Sequence, residues 1–381
     1  MLTKRLEIIK LLFLCYIKFL FSGKSNKRII NPKKILVVQL AKLGDMVCTT
    51  PMFRAIKEKY SKSKVYVIGN KINKELLEHN NDVYKYIIYN NINSIINQLK
   101  KEKIDFACLT SPNFMSLATL YLSNISLICV PEIKNGYSPY ETKSYKILRK
   151  FVITKLHHMS SYAPREYLRL LEPINIFTNN TKKYLFCSEK AKSKINNFLK
   201  INKIRKDDFV VGISPSAGNQ IKCWAGNKFA KLADYLYKKY NVKILIIGGK
   251  NDQTKVTNMI RLLDKKTEVI NCFNIFNIDE LKALISRLNC FISVDTGPIY
   301  IAESFNVPTI DIVGPIDYRE QPPIGKFYKI VVAKRKKPEL YVMNARIYNK
   351  KEAQRQINDI SVDMVIEKFE ELIKDLGYKN V

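Results

Sequence analysis

The sequence is poor in the residues that build metal centres, redox pairs and dinucleotide loops. Three histidines, His79, His157 and His158, stand among 381 residues, too few and too badly spaced for a metal site. The eight cysteines (Cys15, Cys48, Cys108, Cys129, Cys187, Cys223, Cys272 and Cys290) are scattered singly, with no Cys-x-x-Cys pair. That spacing excludes a zinc site or a disulfide framework and predicts reduced, partly buried thiols in a reducing compartment. No Gly-x-Gly-x-x-Gly follows the first Val/Ile-rich run, which argues against a dehydrogenase. Gly23-Lys24-Ser25 has the ending of a phosphate-loop motif, but Lys18 occupies the place of the upstream glycine and no strand pattern precedes it. No hydrophobic run is long enough and clean enough for a membrane span.

Acidic residues are also scarce, 34 against 65 lysines and arginines, for a net charge of +31. Part of this reflects a general richness in Ile, Lys and Asn, but a positive field of this size still favours an anionic partner: nucleic acid, membrane lipid or phosphorylated sugar. The lysines are spread out, belong to no recognised reading module and do not interleave regularly with aromatics, so no specific nucleic-acid partner is expected. Residues 6–21, LEIIKLLFLCYIKFLF, are strongly apolar but broken by Glu7, Lys10 and Lys18, which fall near one helical face. With Lys4, Arg5, Lys24, Lys27 and Arg28 flanking them and no small-residue cleavage site, they predict a helix lying on an anionic membrane surface. The alternative is a helix packed on the body of the protein.

The chain is longer than one hydrophobic core supports, so two lobes are expected. From residue 33 onward, short Val/Ile-rich runs alternate with helical patterns, the mark of parallel βαβ units. Strands are predicted at 33–39, 64–69, 83–89, 104–110 and 125–130 in the first lobe, and at 208–214, 242–248, 267–271, 290–294 and 307–313 in the second. Residues 131–160, with Pro131, Gly136, Pro139 and the basic stretch KSYKILRKFVITKLHH, are expected to be an irregular loop facing a substrate. The division is a 1–30 surface helix, a 31–185 domain, a 186–350 domain and a closing helix within 351–381, with Ser361 at its N-cap and Gly377 past its end.

Open parallel sheets bind ligands at the carboxyl ends of their strands, which directs attention to particular loops. In QLAKLGDMVCTTP (39–51) Gly44 permits a tight turn and Asp45 lies at a helix N-terminus, either as a cap or with its carboxylate turned to a ligand. In SPSAGNQIKCW (214–224) the small-residue loop with Ser214 and Ser216 offers backbone N–H groups to phosphate, and Lys222 adds a point charge. Trp224, the only tryptophan, reads as core packing. In IGGKND (247–252) Asp252 has the placement to accept from ribose hydroxyls, or else to cap a helix. In SVDTGPIYIAESFNVPTIDIVGP (293–315) a strand ends at Asp295, Thr296 and Gly297 just before Pro298 opens a helix, an anion site by virtue of its free N–H groups.

In this order the segments resemble glycosyltransferase family 9, the ADP-heptose:lipopolysaccharide heptosyltransferases, over roughly residues 33–315. ILVVQLAKLGDMVCTTPMFRAIKEKY is similar to the family's opening strand, Leu-Gly-Asp turn and helix; SPSAGNQIKCWAGNKFAKLADYL to its phosphate loop with Lys-x-Trp; and the Asp295-Thr296-Gly297 segment to its Asp-Thr-Gly signature. The resemblance implies a GT-B fold of two doubly wound Rossmann-like domains, acceptor-side first and nucleotide-sugar-binding second. It implies an inverting transferase without metal or cofactor, moving a sugar from a donor such as ADP-heptose to a lipopolysaccharide core or other surface glycolipid. Asp45 would be the general base and Lys222 would stabilise the departing diphosphate. Gly44, Ser214, Ser216, Asp252, Asp295, Thr296 and Gly297 would help hold the donor. Such an enzyme would work in the cytoplasm, peripheral on the inner face of the membrane. Tyr300 departs from the His that many relatives carry there, and KRKKPELYVMNARIYNKKEAQRQ replaces a cysteine-bearing segment, so donor sugar and acceptor do not transfer. A non-catalytic binder of nucleotide-sugar, anionic membrane or nucleic acid is the alternative reading.

Overall fold

The computed structural model describes residues 2–378. The chain divides into two compact units, Met1–Lys182 with Val342–Ile347, and Lys183–Tyr341 with Tyr348–Val381. The first holds a parallel sheet of β1 (Lys34–Val38), β2 (Lys64–Gly69), β3 (Lys85–Ile88), β4 (Phe106–Leu109), β5 (Leu127–Lys134) and β6 (Ile153–His158), in the order β3-β2-β1-β4-β5-β6. The second holds β7 (Val210–Ser214), β8 (Lys243–Ile246), β9 (Val269–Asn271), β10 (Cys290–Val294), β11 (Thr309–Ile312) and β12 (Tyr328–Val331), in the order β12-β11-β10-β7-β8-β9. Counted from its own first strand, each sheet therefore has the same doubly wound order, with the direction of winding reversing between its first and fourth strands. The central strands are buried on both faces: β4, β7, β10 and β11 have no exposed residue, which is why they read as unbroken apolar runs instead of alternating ones.

Both edges that lacked a sequence signal are short or half-wet. β6 lies inside the stretch expected to be irregular, yet it pairs with β5 from Cys129↔Ile153 to Lys134↔His158. Its residues are mostly only partly buried, so Lys155 and the two histidines are tolerated in a strand that the apolar criterion passes over. His157 alone is deeply buried, and burial pushes its imidazole down to about 4, leaving it neutral. β12 similarly has just four residues, beside β11 at the edge of its sheet. The closing helix runs Val362–Asp375, with Ser361 Oγ accepting from Met364 N at 3.1 Å and Gly377 at φ 71° beyond its end.

The helix α1 (Leu2–Ser22) is not a separate element, because one face of it joins the core of the first unit. Leu11 and Cys15 are buried there, with Ile8, Leu12 and Phe19 packed beside them, and the Phe19 ring stacks on Phe151 at 4.2 Å. The opposite face leaves Leu6, Ile9, Phe13, Tyr16 and Leu20 more than half exposed, at the three-and-four spacing of a second apolar stripe. Among the described residues no helix is long and apolar enough to cross a membrane. All eight cysteines are free thiols.

Two features make the packing testable. A Cβ on Gly69, the last residue of β2, would lie 2.0 Å from Tyr86 Oη, and that hydroxyl donates to the Asn70 carbonyl at 2.7 Å. Gly69→Ala should therefore cost about 1–3 kcal/mol by overpacking, read in urea unfolding. In the second unit Asp311 on β11 is buried with its Oδ1 unpartnered. Burial, and then the negative charge of Asp295, hold its carboxyl well above the usual range. A raised carboxyl favours folding while protonated, and that contribution disappears as pH rises through the folded-state value. Asp311→Asn should thus gain stability relative to the wild type as pH is raised, and a difference in melting temperature that does not widen with pH would contradict the assignment.

Candidate active site

In the first unit the switch point lies between β1 and β4, and the chain leaving β1 is fastened there by amides. Gln39 Oε1 accepts from Ala41 N at 3.0 Å, while Gln39 Nε2 donates to Thr49 Oγ1 at 3.1 Å. The Ala41 carbonyl in turn accepts from Asn70 Nδ2 at 2.9 Å and Asn73 Nδ2 at 3.0 Å. This web sets where the helix α2 (Leu43–Lys59) begins. Its N-cap is Lys42, which makes no side-chain cap, and Asp45 is the third helical residue, in the first turn. A carboxylate there is stabilised by the N-terminal end of the helix dipole. Gly44 is also inside that first turn, as a buried residue, so the expectation that it makes a tight turn ahead of the helix is corrected: the turn is closed by Gln39, Asn70 and Asn73.

In the second unit the switch point lies between β7 and β10, and here the structure brings together residues about seventy positions apart. Lys222, on the short turn Gln220–Lys222, forms an ion pair with Asp295 Oδ2. Tyr300 Oη donates to Asp295 Oδ1 and lies 2.9 Å from the Gln321 carbonyl. Asp295 is thereby held on both oxygens, by an ammonium towards the loop and a phenol towards the core. Ser214 closes β7 and, with Ser216, is buried. Ser293, the register partner of Ser214, brings its Oγ to 3.3 Å from the Ser214 carbonyl and 2.8 Å from that of Val294, where the two strands end side by side. Thr296 is the N-cap of the Gly297–Ser304 helix in extended backbone, but its side chain makes no cap and Pro298 follows. In the first turn Pro298 has no N–H and Ile299 N donates to the Thr296 carbonyl at 3.1 Å, so the donor that the missing side-chain cap leaves to a ligand or solvent is the Gly297 N–H at the positive end of the helix.

Asp252 stands apart from this cluster in its bonding. Its Oδ2 accepts from Gly249 N at 2.9 Å, so this oxygen fastens the turn after β8, as the capping alternative anticipated. Trp224 packs in the core, Nε1 donating to the Ile360 carbonyl at 2.9 Å. Other site neighbours carried no sequence signal. Lys183 Nζ, fully buried, bonds both Glu303 oxygens at 2.7 Å and sits 5.7 Å from the Tyr300 ring centre. Burial pushes the Glu303 carboxyl up, with Lys183 opposing. Lys255 Nζ lies 2.9 Å from Cys223 Sγ, beside Lys222 in the loop. These partners come from distant segments, and only the fold reveals them. Among the described residues no group of three or more His, Cys, Asp or Glu side chains is arranged to hold a metal ion.

The arrangement offers a carboxylate at one switch point, and an ammonium with a helix N-terminus at the other. Comparison with known proteins gives it a family. The sequence model of glycosyltransferase family 9 (heptosyltransferase) matches residues 95–347. Lipopolysaccharide heptosyltransferase 3 of Escherichia coli K12 is 24% identical over 282 residues, covering 72% of this chain and 80% of that protein. The fold matches the family 9 glycosyl transferase of Veillonella parvula with a TM-score of 0.73 at 19% identity, over 92% of this chain and 99% of the other. It matches the E. coli ADP-heptose lps heptosyltransferase II with a TM-score of 0.71 at 16% identity, over 90% and 99%. With two parallel sheets of GT-B type and a family match across most of its length, the chain belongs to glycosyltransferase family 9.

Proposed function

We propose that the protein is an inverting, metal-independent transferase that moves a heptose from ADP-heptose to a lipopolysaccharide core or related surface glycan, in the cytoplasm at the inner face of the membrane. The Lys222–Asp295 pair beside the Thr296-Gly297-Pro298 helix start carries this reading. A diphosphate needs positive charge to leave, and an ammonium already positioned by Asp295 beside a helix N-terminus supplies it. The donor's phosphate takes over the Lys222 ammonium from Asp295, whose carboxylate then grips sugar hydroxyls while Tyr300 keeps it in place. Ser214, Ser216, Thr296 and Gly297 line the phosphate and sugar, and Asp252 meets the ribose with the oxygen that does not bind Gly249. The donor and acceptor classes follow from relatives whose names carry ADP-heptose and lipopolysaccharide.

The chemistry is a single displacement. The acceptor oxygen bonds to the anomeric carbon from the face opposite the nucleotide and passes its proton to Asp45. The bond from that carbon to the diphosphate oxygen breaks, and ADP departs with the electron pair. Configuration inverts because only one displacement occurs. Tyr300 in place of histidine supports a second reading, a nucleotide-sugar binder without turnover, and the same variants separate the two.

Asp45→Asn should lower kcat by roughly two to four orders of magnitude while donor binding persists. Lys222→Met should weaken donor binding and lower kcat by about 10²–10³. Transfer that survives Asp45→Asn rules out the base assignment, and donor binding without any wild-type transfer favours the second reading. In a panel of ADP-, UDP-, GDP- and TDP-sugars, ADP-heptose should raise Tm most.

The basic surface and the exposed stripe of α1 support attachment to an anionic membrane. Deleting α1 would also uncover the core around Leu11 and Cys15, so the discriminating change is on the outer face alone. Leu6→Gln with Phe13→Gln should weaken binding to anionic vesicles by about ten-fold or more and leave Tm unchanged. Undiminished vesicle binding would refute the attachment.

A further inference from the structure

At the carboxyl end of α1 the chain folds back against the Phe114–Leu122 helix and leaves a hollow of about 200 Å³ whose lining includes Lys18, Lys24, Lys27, Ser22, Asn124 and Ser126. We infer that this hollow binds the phosphate of an anionic glycerophospholipid headgroup while the outer face of α1 lies among the acyl chains. The inference rests on the membrane-surface reading of α1 and adds a specific ligand site to it.

The charge balance of the hollow is one-sided. Among the described residues none of its three lysines forms an ion pair with a carboxylate. Lys18 is only partly exposed, and its ammonium is satisfied by neutral groups. Nζ donates to Asn124 Oδ1 at 2.7 Å and to the Tyr121 carbonyl, and it lies 5.0 Å from the Tyr121 ring centre. Those contacts use two of its three donors. Burial first, and then the like charge of Lys100, bring Lys18 down to about 8, the response of a cation short of negative charge. A phosphate entering the hollow would meet three ammonium groups and a serine hydroxyl, with no carboxylate on the lining to repel it.

The hollow is built before any ligand arrives. Gly23, at φ 67° with open space where a Cβ would be, ends α1 by bonding Phe19 O at 2.8 Å, and its own carbonyl accepts from Tyr121 Oη at 2.7 Å. Ser25 N is held by Phe151 O at 2.9 Å and Lys27 N by Ser126 O at 3.2 Å. The Gly23–Lys27 segment, whose Gly-Lys-Ser start fails as a nucleotide loop because no strand feeds it, thus places Lys24 and Lys27 on a fixed rim. Directly before that rim stand Leu20 and Phe21, 63% and 87% exposed. A cationic hollow abutting exposed apolar side chains matches a molecule whose phosphate and hydrocarbon are joined, and a soluble phosphate would have no use for the second half.

Flotation of the full-length protein with phosphatidylcholine vesicles, with and without phosphatidylglycerol, tests the assignment. Wild type should favour the phosphatidylglycerol vesicles, and Lys18→Met should weaken that binding roughly five-fold. Ser126→Trp fills the hollow without changing charge and should abolish the preference while the apolar stripe still holds the protein on vesicles. Lys24→Met with Lys27→Met should do the same if the tryptophan variant misfolds. Lys265→Met with Lys266→Met, equal in charge but in the second unit, should leave the preference intact. If both hollow variants keep the full preference, the site is wrong although attachment stands; if wild type binds neither vesicle, attachment itself fails. A rise in Tm with inorganic phosphate, lost in Ser126→Trp and without any lipid preference, would make this a soluble-anion site and overturn the lipid assignment.

Discussion

A parallel strand delivers its carboxyl end to the same edge of the sheet as its neighbours, and a doubly wound order leaves one place where the following chains part to opposite faces. The residues proposed to act on the donor and acceptor are arranged around that constraint. In both units the first and fourth strands flank the parting. Gln39 through Asp45 leave one such place, and Lys222 and the Asp295-Thr296-Gly297 turn converge on the other. Helices starting there point their N–H ends at the gap, so each unit carries a fixed positive potential before any side chain is counted.

On that potential the second unit builds a graded set of charges. Lys222 sits nearest solvent, Asp295 beneath it, and then Tyr300, with the fully buried Lys183–Glu303 pair against its ring. Deeper still, Asp311 is driven towards its neutral form by burial and by Asp295. Such a stack adds little net stability, since removing charges from water offsets most of their attraction, yet losing one partner would strand another at several kcal/mol. Its value is geometric: the groups cannot move independently. Tyr300 fits this logic, for a phenol reaches both Asp295 and the Gln321 carbonyl and so braces the carboxylate from the core side.

The parts legible in the sequence are those where local pattern and tertiary role agree. The central strands had to be apolar on both faces, and they announced themselves; Ser361 and Gly377 marked the last helix for the same local reasons. β6 and β12 escaped because an edge strand is free to carry Lys155, His158 or Tyr328, which removes the only signal available. Asp45, Lys222 and Asp295 could be singled out because each lies in the chain that leaves a strand pattern, but the Lys222–Asp295 bond and its support by Tyr300 depend on strands adjacent in space and not in order. Lys183 and Glu303 were invisible for a plainer reason: a lysine among so many gives no hint that it is wholly buried. α1 satisfied both competing readings, since a helix with two apolar stripes can pack with one and expose the other.

The short stretch Val342–Ile347 belongs with the first unit, although the chain on either side of it belongs with the second. Within it, the Arg346 guanidinium lies 4.8 Å from the Tyr140 ring. The polypeptide consequently passes from one unit to the other three times, after Lys182, after Tyr341 and after Ile347. No single scission yields two intact halves: a fragment ending at Lys182 forfeits the Arg346–Tyr140 contact, and the remainder carries an orphaned excursion that has lost its home. Dissecting this transferase into independent pieces would call for circular rewiring or a graft, and any swap of lobes between relatives must carry that hexapeptide with the front half.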